Sequence, residues 1–293
     1  MAEFVLTLIG AAPSDAATAA DALARIGGRA GAPEPLAPDA IDLPFDGAAP
    51  EAAETAARAA LDGRAIDLVA QRRAGRRKRL LVADLESTII ENEMLEELAD
   101  FVGLKEHVAA ITRRAMNGEI DFLAAIEERA ALLRGLPARV LGEAAARIRI
   151  VPGAPALVRT MRANGAKCAL VSGGFRVFAD PIGRALGFDL AVANGLEVKD
   201  GRLTGRLVPP LRGREAKLET LRQLAAEMGI ALRATLAVGD GANDLPMLQA
   251  AGLGIAFHGR PAVRAAARWR IDHADLTALL YAQGYRREEF AAA

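Results

Sequence analysis

Three short groups of polar residues, each placed directly after an apolar run, hold the side chains of this sequence that are best suited to catalysis. The first group is Asp84-Leu85-Glu86-Ser87-Thr88, after the apolar run 80–83. It offers a carboxylate nucleophile, a second carboxyl group that can carry a proton, and a hydroxyl. A carboxylate can attack phosphorus and form an aspartyl-phosphate. The same residues also fit a strand-to-helix turn in which Ser87 or Thr88 only caps the next helix.

The second group is Ser172-Gly173-Gly174, after the run 167–171. A hydroxyl followed by two glycines before a helix predicts a phosphate cradle, because backbone N–H groups and the helix dipole both favour an anion. Lys217 lies in the first turns of a predicted helix over 213–228, where its ammonium group could reach a phosphoryl oxygen. A lone lysine on a helix usually faces solvent, so that alternative stays open.

The third group, Asp240-Gly241-Ala242-Asn243-Asp244, follows the run 235–239. Oxygen ligands clustered at a strand end indicate a hard divalent ion, and Mg²⁺ prefers one or two carboxylates together with phosphate and water. A turn with an N-capping Asp is the alternative. The three histidines lack ligand-like spacing, so we do not expect a zinc site.

The elements that position these groups form an α/β pattern. Five short apolar runs, over 80–83, 167–171, 188–193, 235–239 and 252–257, alternate with helical segments. Such runs are typical of parallel strands that are buried on both faces. Because ligands bind beyond the C-terminal ends of parallel strands, we expect all three groups to meet at one edge of one sheet.

The pattern of residues 92–135 predicts a helical cap that is inserted after the first strand of that sheet. Apolar residues recur there at helical spacing, with breaks at Gly103 and Asn117-Gly118. Such a lid excludes water and supplies substrate contacts. Glu93 stands at its start. Arg129 could fork a carboxylate or could be an ordinary exposed arginine, and Met116 and Phe122 are by default core residues.

Residues 1–72 predict a small α+β accessory domain. The strands 4–9, 40–45 and 65–70 and the helices 16–26 and 52–61 give a split βαβ layout without a catalytic constellation. We expect a role in regulation or self-association, hence a possible homodimer; a poorly ordered extension is the alternative.

The basic linker 73–79, part of the run Arg72–Arg79, could bind RNA or a membrane, but no aromatic residue in it could stack a base. A solvated linker is therefore favoured.

Composition excludes several classes of protein. The 293 residues contain 37 Lys+Arg and 37 Asp+Glu, so no whole-chain charge indicates a nucleic acid or an anionic membrane as a partner. The single cysteine fits a reducing compartment. No apolar run approaches the ~18 residues of a spanning helix, and the apolar start carries Glu3 rather than a basic segment. We therefore expect a cytoplasmic protein.

Together these groups resemble the haloacid-dehalogenase superfamily and, more closely, the phosphoserine phosphatase family within it. The resemblance runs from Leu80 to about Leu280. It is carried, besides the three groups above, by Glu91-Asn92-Glu93, Ala115-Met116-Asn117-Gly118 with Phe122, Arg129 with Leu132-Leu133, Phe175, Ala193-Asn194 and Val198-Lys199-Asp200-Gly201. It implies a three-layer Rossmann-like parallel sheet with a small helical-bundle cap. The amino-terminal third resembles, weakly, a shortened ACT-type regulatory domain.

The resemblance also implies roles for individual residues in hydrolysing O-phosphoserine. Asp84 would be the nucleophile and Glu86 the general acid and base. The implied Mg²⁺ ligands are Asp84, the Glu86 main-chain carbonyl and Asp240, with Asp244 supporting them. The implied phosphoryl contacts are Ser172, Gly173, Lys217 and Asn243. Glu93 would receive the substrate ammonium group, Arg129 its carboxylate, and Met116 and Phe122 would shape the lid.

Glu86 departs from the family pattern, which has Asp at this position. The side chain is one methylene longer, so its carboxyl group would have to fold back by roughly 1–1.5 Å, and a misplacement of ~1 Å can cost ~100-fold in rate. We therefore expect a slower phosphatase with possible accumulation of phospho-Asp84, unless neighbouring residues have adjusted. Two other readings remain: a phosphatase for phosphohomoserine or phosphothreonine, and a phosphoserine-binding regulator impaired by Glu86.

Overall fold

The computed structural model describes residues 2–116 and 119–292, without the side chain of Met116. The predicted break at Asn117-Gly118 lies outside the described residues. The strands are β1 (Phe4–Ile9), β2 (Arg29–Ala30), β3 (Glu34–Ala37), β4 (Ala40–Asp46), β5 (Asp67–Arg72), β6 (Leu80–Ala83), β7 (Lys167–Phe175), β8 (Leu190–Lys199), β9 (Arg202–Val208), β10 (Thr235–Gly239), β11 (Leu253–Phe257) and β12 (Trp269–Ile271). The helices are α1 (Pro13–Arg25), α2 (Pro50–Ala60), α3 (Met94–Asp100), α4 (Lys105–Met116), α5 (Phe122–Ala131), α6 (Val140–Ala145), α7 (Ala154–Ala163), α8 (Arg176–Leu186), α9 (Glu215–Glu227), α10 (Leu245–Ala250), α11 (Pro261–Ala266) and α12 (Ala278–Ala282).

A seven-stranded sheet in the order β12-β11-β10-β6-β7-β8-β9 forms the larger part of the molecule. All neighbours in it are parallel except β8 and β9, which form a hairpin. The strand order reverses beside β6, because the chain continues from β6 to β7 on one side and later returns to β10 on the other. Ligands bind at such a switch point.

Burial on both faces of this sheet explains its apolar strands. Leu81 and Ala83 of β6 belong to one hydrophobic cluster, whereas Leu80 and Val82 belong to another, and all four are fully buried. Helices α7, α8 and α12 supply residues to the first cluster, and α9, α10 and α11 to the second. The predicted three-layer α/β fold is therefore confirmed.

The amino-terminal strands form a separate antiparallel sheet in the order β2-β4-β1-β5, with β3 also paired to β4. Helices α1 and α2 cover one face through their own hydrophobic cluster. This is the split βαβ layout predicted for residues 1–72, with β2 and β3 as strands that the sequence pattern missed. Whether this unit is an ACT-type domain stays a prediction.

The opposite face of the amino-terminal sheet packs against the part of the chain that carries the seven-stranded sheet. Ile9, Leu36 and Val69 join the same hydrophobic cluster as α12. The buried Asp67 carboxylate accepts the backbone N–H groups of 272, 273 and 274 at 2.7–3.1 Å. Because the two parts share apolar and hydrogen-bonded contacts, the amino-terminal unit is docked rather than loosely tethered.

The basic linker is not uniformly solvated, so that expectation is wrong for two of its side chains. Arg76 forms an ion pair at 2.5 Å with Asp42, whose side chain is 1% exposed. Lys78 is 8% exposed and donates to the carbonyl oxygens of Gly75 and Arg233 at 3.1 and 3.0 Å. These partners come from distant parts of the chain, which a local pattern of charges cannot reveal.

Helices α3, α4 and α5 follow β6 as the predicted cap, and α6 is a further helix that the sequence pattern missed. The cap packs on the β8–β9 hairpin through α5. In the described ranges no helix has both the length and the apolar character that crossing a bilayer requires.

Candidate active site

The ends of β6, β7 and β10 bring the three polar groups together, as the parallel topology requires. One cavity is lined by Asp84, Glu86, Glu93, Leu95, Phe122, Ile126, Arg129, Gly173, Gly174, Asp240 and Asn243. Strand ends supply its floor and the cap supplies its roof. The cavity volume of about 20 Å³ leaves room for about one water molecule.

Asp84 is held at the end of β6 by two donors. Its Oδ1 accepts the backbone N–H of Leu85 and lies 2.8 Å from Nζ of Lys217. Lys217 is 2% exposed, so the solvent-facing alternative for this lysine is excluded. Its Nζ also donates to Asp244 Oδ1 at 2.5 Å, and Asp244 Oδ2 accepts the backbone N–H of Gly241 at 2.9 Å. Lys217 thus links two strand ends.

Electrostatic crowding marks this cluster. Burial, together with the charge of Asp244, raises the pKa of Asp84 to about 7 in spite of Lys217. Burial and the charges of Asp244, Asp84 and Glu93 also raise the pKa of Asp240 well above its usual range. Burial alone would lower the pKa of Lys217, but the two neighbouring carboxylates raise it on balance.

The carboxylate cluster is compatible with metal binding. Oxygens of Asp84, Asp240 and Asp244 all lie within 4.8 Å of one another, and all three residues are buried. Such hard donors suit a divalent cation, which would relieve their mutual repulsion. Asn243 Oδ1, beside them, is buried and has no hydrogen-bond partner among the described residues.

The Glu86 side chain lines the same cavity, and its carboxyl group contacts two protein donors. Oε1 accepts the backbone N–H of Met94 at 3.0 Å, and Oε2 lies 3.5 Å from the Ser172 hydroxyl. A Cβ atom added to Gly174 would lie 2.6 Å from Oε2, so the glycine leaves room for the longer acid. Burial and the charges of Glu93 and Asp84 raise the pKa of Glu86 to about 8.

The segment predicted as a phosphate cradle continues the strand that was expected to end at residue 171. Residues 172–175 continue β7 in an extended conformation, although the pairing of β7 with β6 ends at Leu170. The Ser172 hydroxyl accepts the N–H of Gly174 at 2.8 Å. Asn194 on β8 donates to the Gly173 carbonyl at 2.8 Å and is 0% exposed. Asn194 pairs with Phe175 of β7, and this register places its side chain beside Gly173.

The cap contributes an acid and a guanidinium group. Glu93 precedes α3, and its Oε1 accepts the Ser87 hydroxyl at 2.8 Å. Arg129 is 3% exposed, which excludes an ordinary surface arginine. It is fixed by hydrogen bonds to the Ala125 carbonyl and to the Thr112 hydroxyl at 3.0 and 2.8 Å. Burial lowers its pKa, although nearby glutamates oppose the shift.

Phe122 and Met116 were both predicted to shape the lid. Phe122 is buried and its ring packs directly against the Gly173 backbone, where a side chain at 173 would collide with it. Met116 ends α4, and its side chain lies outside the described residues.

Arg260 is a site residue that the sequence analysis missed. Its Nη2 lies 3.6 Å from Glu93 Oε1 and its Nε lies 3.6 Å from Asp240 Oδ2. Its backbone N–H donates to the Asp240 carbonyl at 3.1 Å. No local motif indicated it, because it follows β11 and reaches the site only through the parallel order of β10 and β11.

We expect Arg260→Met to lower kcat/KM by about 10-fold, because partners that orient site carboxylates contribute at this scale. Steady-state kinetics on a phosphomonoester substrate would measure the change. Arg264→Met is the matched control, since Arg264 lies one turn along α11 and pairs with Asp272 instead. Equal kinetics for the two variants would contradict the role given to Arg260.

Comparison with known proteins agrees with this arrangement. The parallel sheet, the inserted cap and the carboxylates at the strand ends define the class of capped α/β hydrolases. Residues 81–249 match the family model of haloacid dehalogenase-like hydrolases, and the chain belongs to that family.

Within this family, the chain is similar to several phosphoserine phosphatases. The chain is 46% identical to phosphoserine phosphatase SerB2 of Mycobacterium tuberculosis over 75% of its own length, and it spans 54% of that protein. It is 43% identical to the phosphoserine phosphatase of Lactococcus lactis, covering 69% of this chain and 94% of the relative. A solved phospho-aspartyl intermediate analogue of a phosphoserine phosphatase is 39% identical, covers 70% of this chain and 98% of its own, and has a TM-score of 0.67.

Proposed function

We propose that the protein is a Mg²⁺-dependent phosphomonoesterase that converts O-phospho-L-serine into L-serine and phosphate through an aspartyl-phosphate. That reaction would make it the last enzyme of serine biosynthesis. One observation carries the proposal: Asp84, a buried aspartate paired with a buried lysine, lines the same cavity as Glu93 and Arg129. Phosphoserine carries a phosphate, an ammonium group and a carboxylate, and the cavity offers a partner for each.

The first step transfers the phosphoryl group to Asp84. A carboxylate oxygen attacks phosphorus as the bond from phosphorus to the serine oxygen breaks. Lys217, 2.8 Å from Asp84, is placed to offset negative charge on the transferring group. The Ser172 hydroxyl, the Gly173 backbone N–H and the Nδ2 amino group of Asn243, which lines the cavity, would donate further hydrogen bonds to phosphoryl oxygens.

Glu86 is the proton carrier in both steps. With a pKa near 8 it holds a proton at neutral pH, which it gives to the departing serine oxygen. The resulting carboxylate then takes a proton from the water molecule that attacks phospho-Asp84. Phosphate leaves, and Asp84 and protonated Glu86 are regenerated.

Two residues of the cap bind the amino-acid part of the substrate. Glu93 receives the ammonium group, and Arg129 receives the carboxylate, since a guanidinium group held from two sides presents a fixed donor geometry. Phe122 and Met116 close over the substrate. A hydrogen-bonding site of this kind rejects ligands that lack the matching polar group.

Mg²⁺ fits the carboxylate cluster through Asp84, Asp240 and the main-chain carbonyl of Glu86. Both oxygens of Asp244 already accept protein donors, which suits a supporting position rather than direct ligation. When bound, the ion would act as a Lewis acid on the phosphoryl oxygens.

A panel of phosphomonoesters tests the substrate. We expect kcat/KM to be highest for O-phospho-L-serine, with phosphothreonine and phosphohomoserine lower by about 10-fold or more, since one methylene is discriminated by roughly 10–200-fold. A higher kcat/KM for either analogue would assign the enzyme to a related phospho-amino acid instead.

Shortening the acid tests how Glu86 is accommodated. Because its carboxyl group is seated against Met94 and Gly174, we expect Glu86→Asp to lower kcat by about 10–100-fold through misplacement of roughly 1 Å. This geometry supports the alternative in which neighbouring residues have adjusted to the longer side chain. A gain in kcat for Glu86→Asp would instead favour strain at Glu86, and pre-steady-state accumulation of phospho-Asp84 in the unaltered enzyme would agree with it.

A further inference from the structure

A large groove lies away from the active site, between the amino-terminal sheet and the N-terminal edge of the catalytic sheet. Its volume is about 780 Å³. Its walls are formed by strand β5, the start of α2, the basic linker and the short 3-10 helix Leu232–Ala234. The start of β6 lies beside it, so the groove faces the edge of the catalytic sheet opposite to Asp84.

The lining of this groove is strongly basic in a chain whose net charge is zero. Five basic side chains and one acidic one line it: Arg72, Arg77, Lys78, Arg79 and Arg233, against Glu51. Arg72 and Arg77 are paired with acids, at 2.6 Å in each case. In the described part of the chain neither Arg79 nor Arg233 forms an ion pair, and both are exposed.

Lys78 lies in the wall of the groove as a buried ammonium group without an acid partner. It is 8% exposed, and its Nζ donates only to the carbonyl oxygens of Gly75 and Arg233 in the described structure. Burial lowers its pKa to about 8. A buried cation that lacks a counter-charge is costly unless an anion completes the site.

Aromatic and apolar surface from distant parts of the chain meets these charges. Phe4 of β1 and Trp269 of β12 both line the groove, together with Pro50 and Ala70. The Trp269 ring is fixed by its Nε1–H bond to the Ala70 carbonyl at 2.9 Å. The linker itself has no aromatic residue, so only the fold places aromatic side chains beside the basic run.

We propose that this groove binds a nucleoside phosphate, with the phosphates held by Lys78, Arg79 and Arg233 and the apolar body beside Trp269 and Phe4. Cationic side chains next to aromatic surface are the combination that binds phosphate and base together. The ligand would contact both sheets and strengthen their docking. It would also leave the active-site cavity free, since none of the residues lining the groove lines that cavity.

Isothermal titration calorimetry of the full chain with ATP tests the proposal, with EDTA and excess phosphoserine present so that the active site is occupied. We expect a dissociation constant below about 1 mM, and at least 10-fold weaker binding for adenosine and for tripolyphosphate, which each lack half of the ligand. Binding as tight for tripolyphosphate as for ATP would overturn the nucleoside part of the proposal. Absence of ATP binding, or binding only without phosphoserine, would overturn all of it.

Charge-reversal variants locate the ligand. Arg233→Glu should weaken ATP binding by about 10-fold or more, the scale of one lost charge-assisted contact. Arg206→Glu, an equally exposed change on β9, should leave it unaltered. Equal weakening of ATP binding in both variants would show that only the overall charge matters. It would overturn the assignment of the ligand to this groove. Lys78→Met should also weaken ATP binding. Thermal unfolding checks that this variant is folded.

Discussion

Asp84→Asn is expected to lower kcat on O-phospho-L-serine by about 10⁴-fold or more, the scale at which loss of a covalent nucleophile acts. The amide cannot attack phosphorus, yet it keeps the shape of the carboxylate. The variant should therefore still bind phosphoserine, because Arg129, Glu93 and the phosphate cradle are unaltered. Rapid-quench kinetics with labelled phosphoserine should detect a phosphoenzyme in the unaltered protein and none in the variant.

Asp62→Asn is the matched control for this change, since Asp62 is exposed on the amino-terminal unit. It removes the same charge without touching the site and should leave kcat within about twofold, as surface substitutions usually do. Turnover by Asp84→Asn at more than about one-hundredth of the normal rate would contradict a nucleophilic role for Asp84.

Glu86→Gln has the second-largest expected effect, a loss of about 10²–10⁴-fold in kcat, because general acid–base catalysis contributes at that scale. The pH dependence separates this role from simple positioning. The pKa of Glu86 is raised to about 8, so the acid form that would protonate the serine oxygen is present below pH 8 and lost above it. We therefore expect kcat/KM to fall as the pH rises through about 8.

A pH profile of kcat/KM measures this basic limb in the unaltered enzyme and in Glu86→Gln. The glutamine variant cannot ionise, so its lower activity should lack the limb. Glu106→Gln, on an exposed position of α4, should keep both the activity and the limb. Persistence of the limb in Glu86→Gln would assign the titration to another group and contradict the role of Glu86.

The catalytic sheet could be predicted from the sequence because its strands are short, apolar and end in polar groups. Asp84, Ser172 and Asp240 follow β6, β7 and β10, and parallel order alone places such ends together. The helical spacing of the cap was equally readable. The chemistry of these residue types indicates a phosphate group and a metal ion.

The burial of individual side chains and their long-range partners could not be predicted from the sequence. Whether Lys217 and Arg129 faced solvent depended on helix orientation, which only tertiary packing decides. Arg260 has no motif, and its contacts to Glu93 and Asp240 join three separate segments. The basic linker likewise found its acid partner, Asp42, 34 residues away. Local periodicity carries no information about such contacts.

Phosphate release from O-phospho-L-serine, measured with Mg²⁺ and with EDTA, is the decisive test of the proposed function. We expect turnover at roughly 1–10³ s⁻¹ with Mg²⁺, a range typical of enzymes, and its loss when the ion is chelated. Tight binding of phosphoserine without phosphate release would contradict the proposed hydrolysis and would indicate a phosphoserine-binding protein instead.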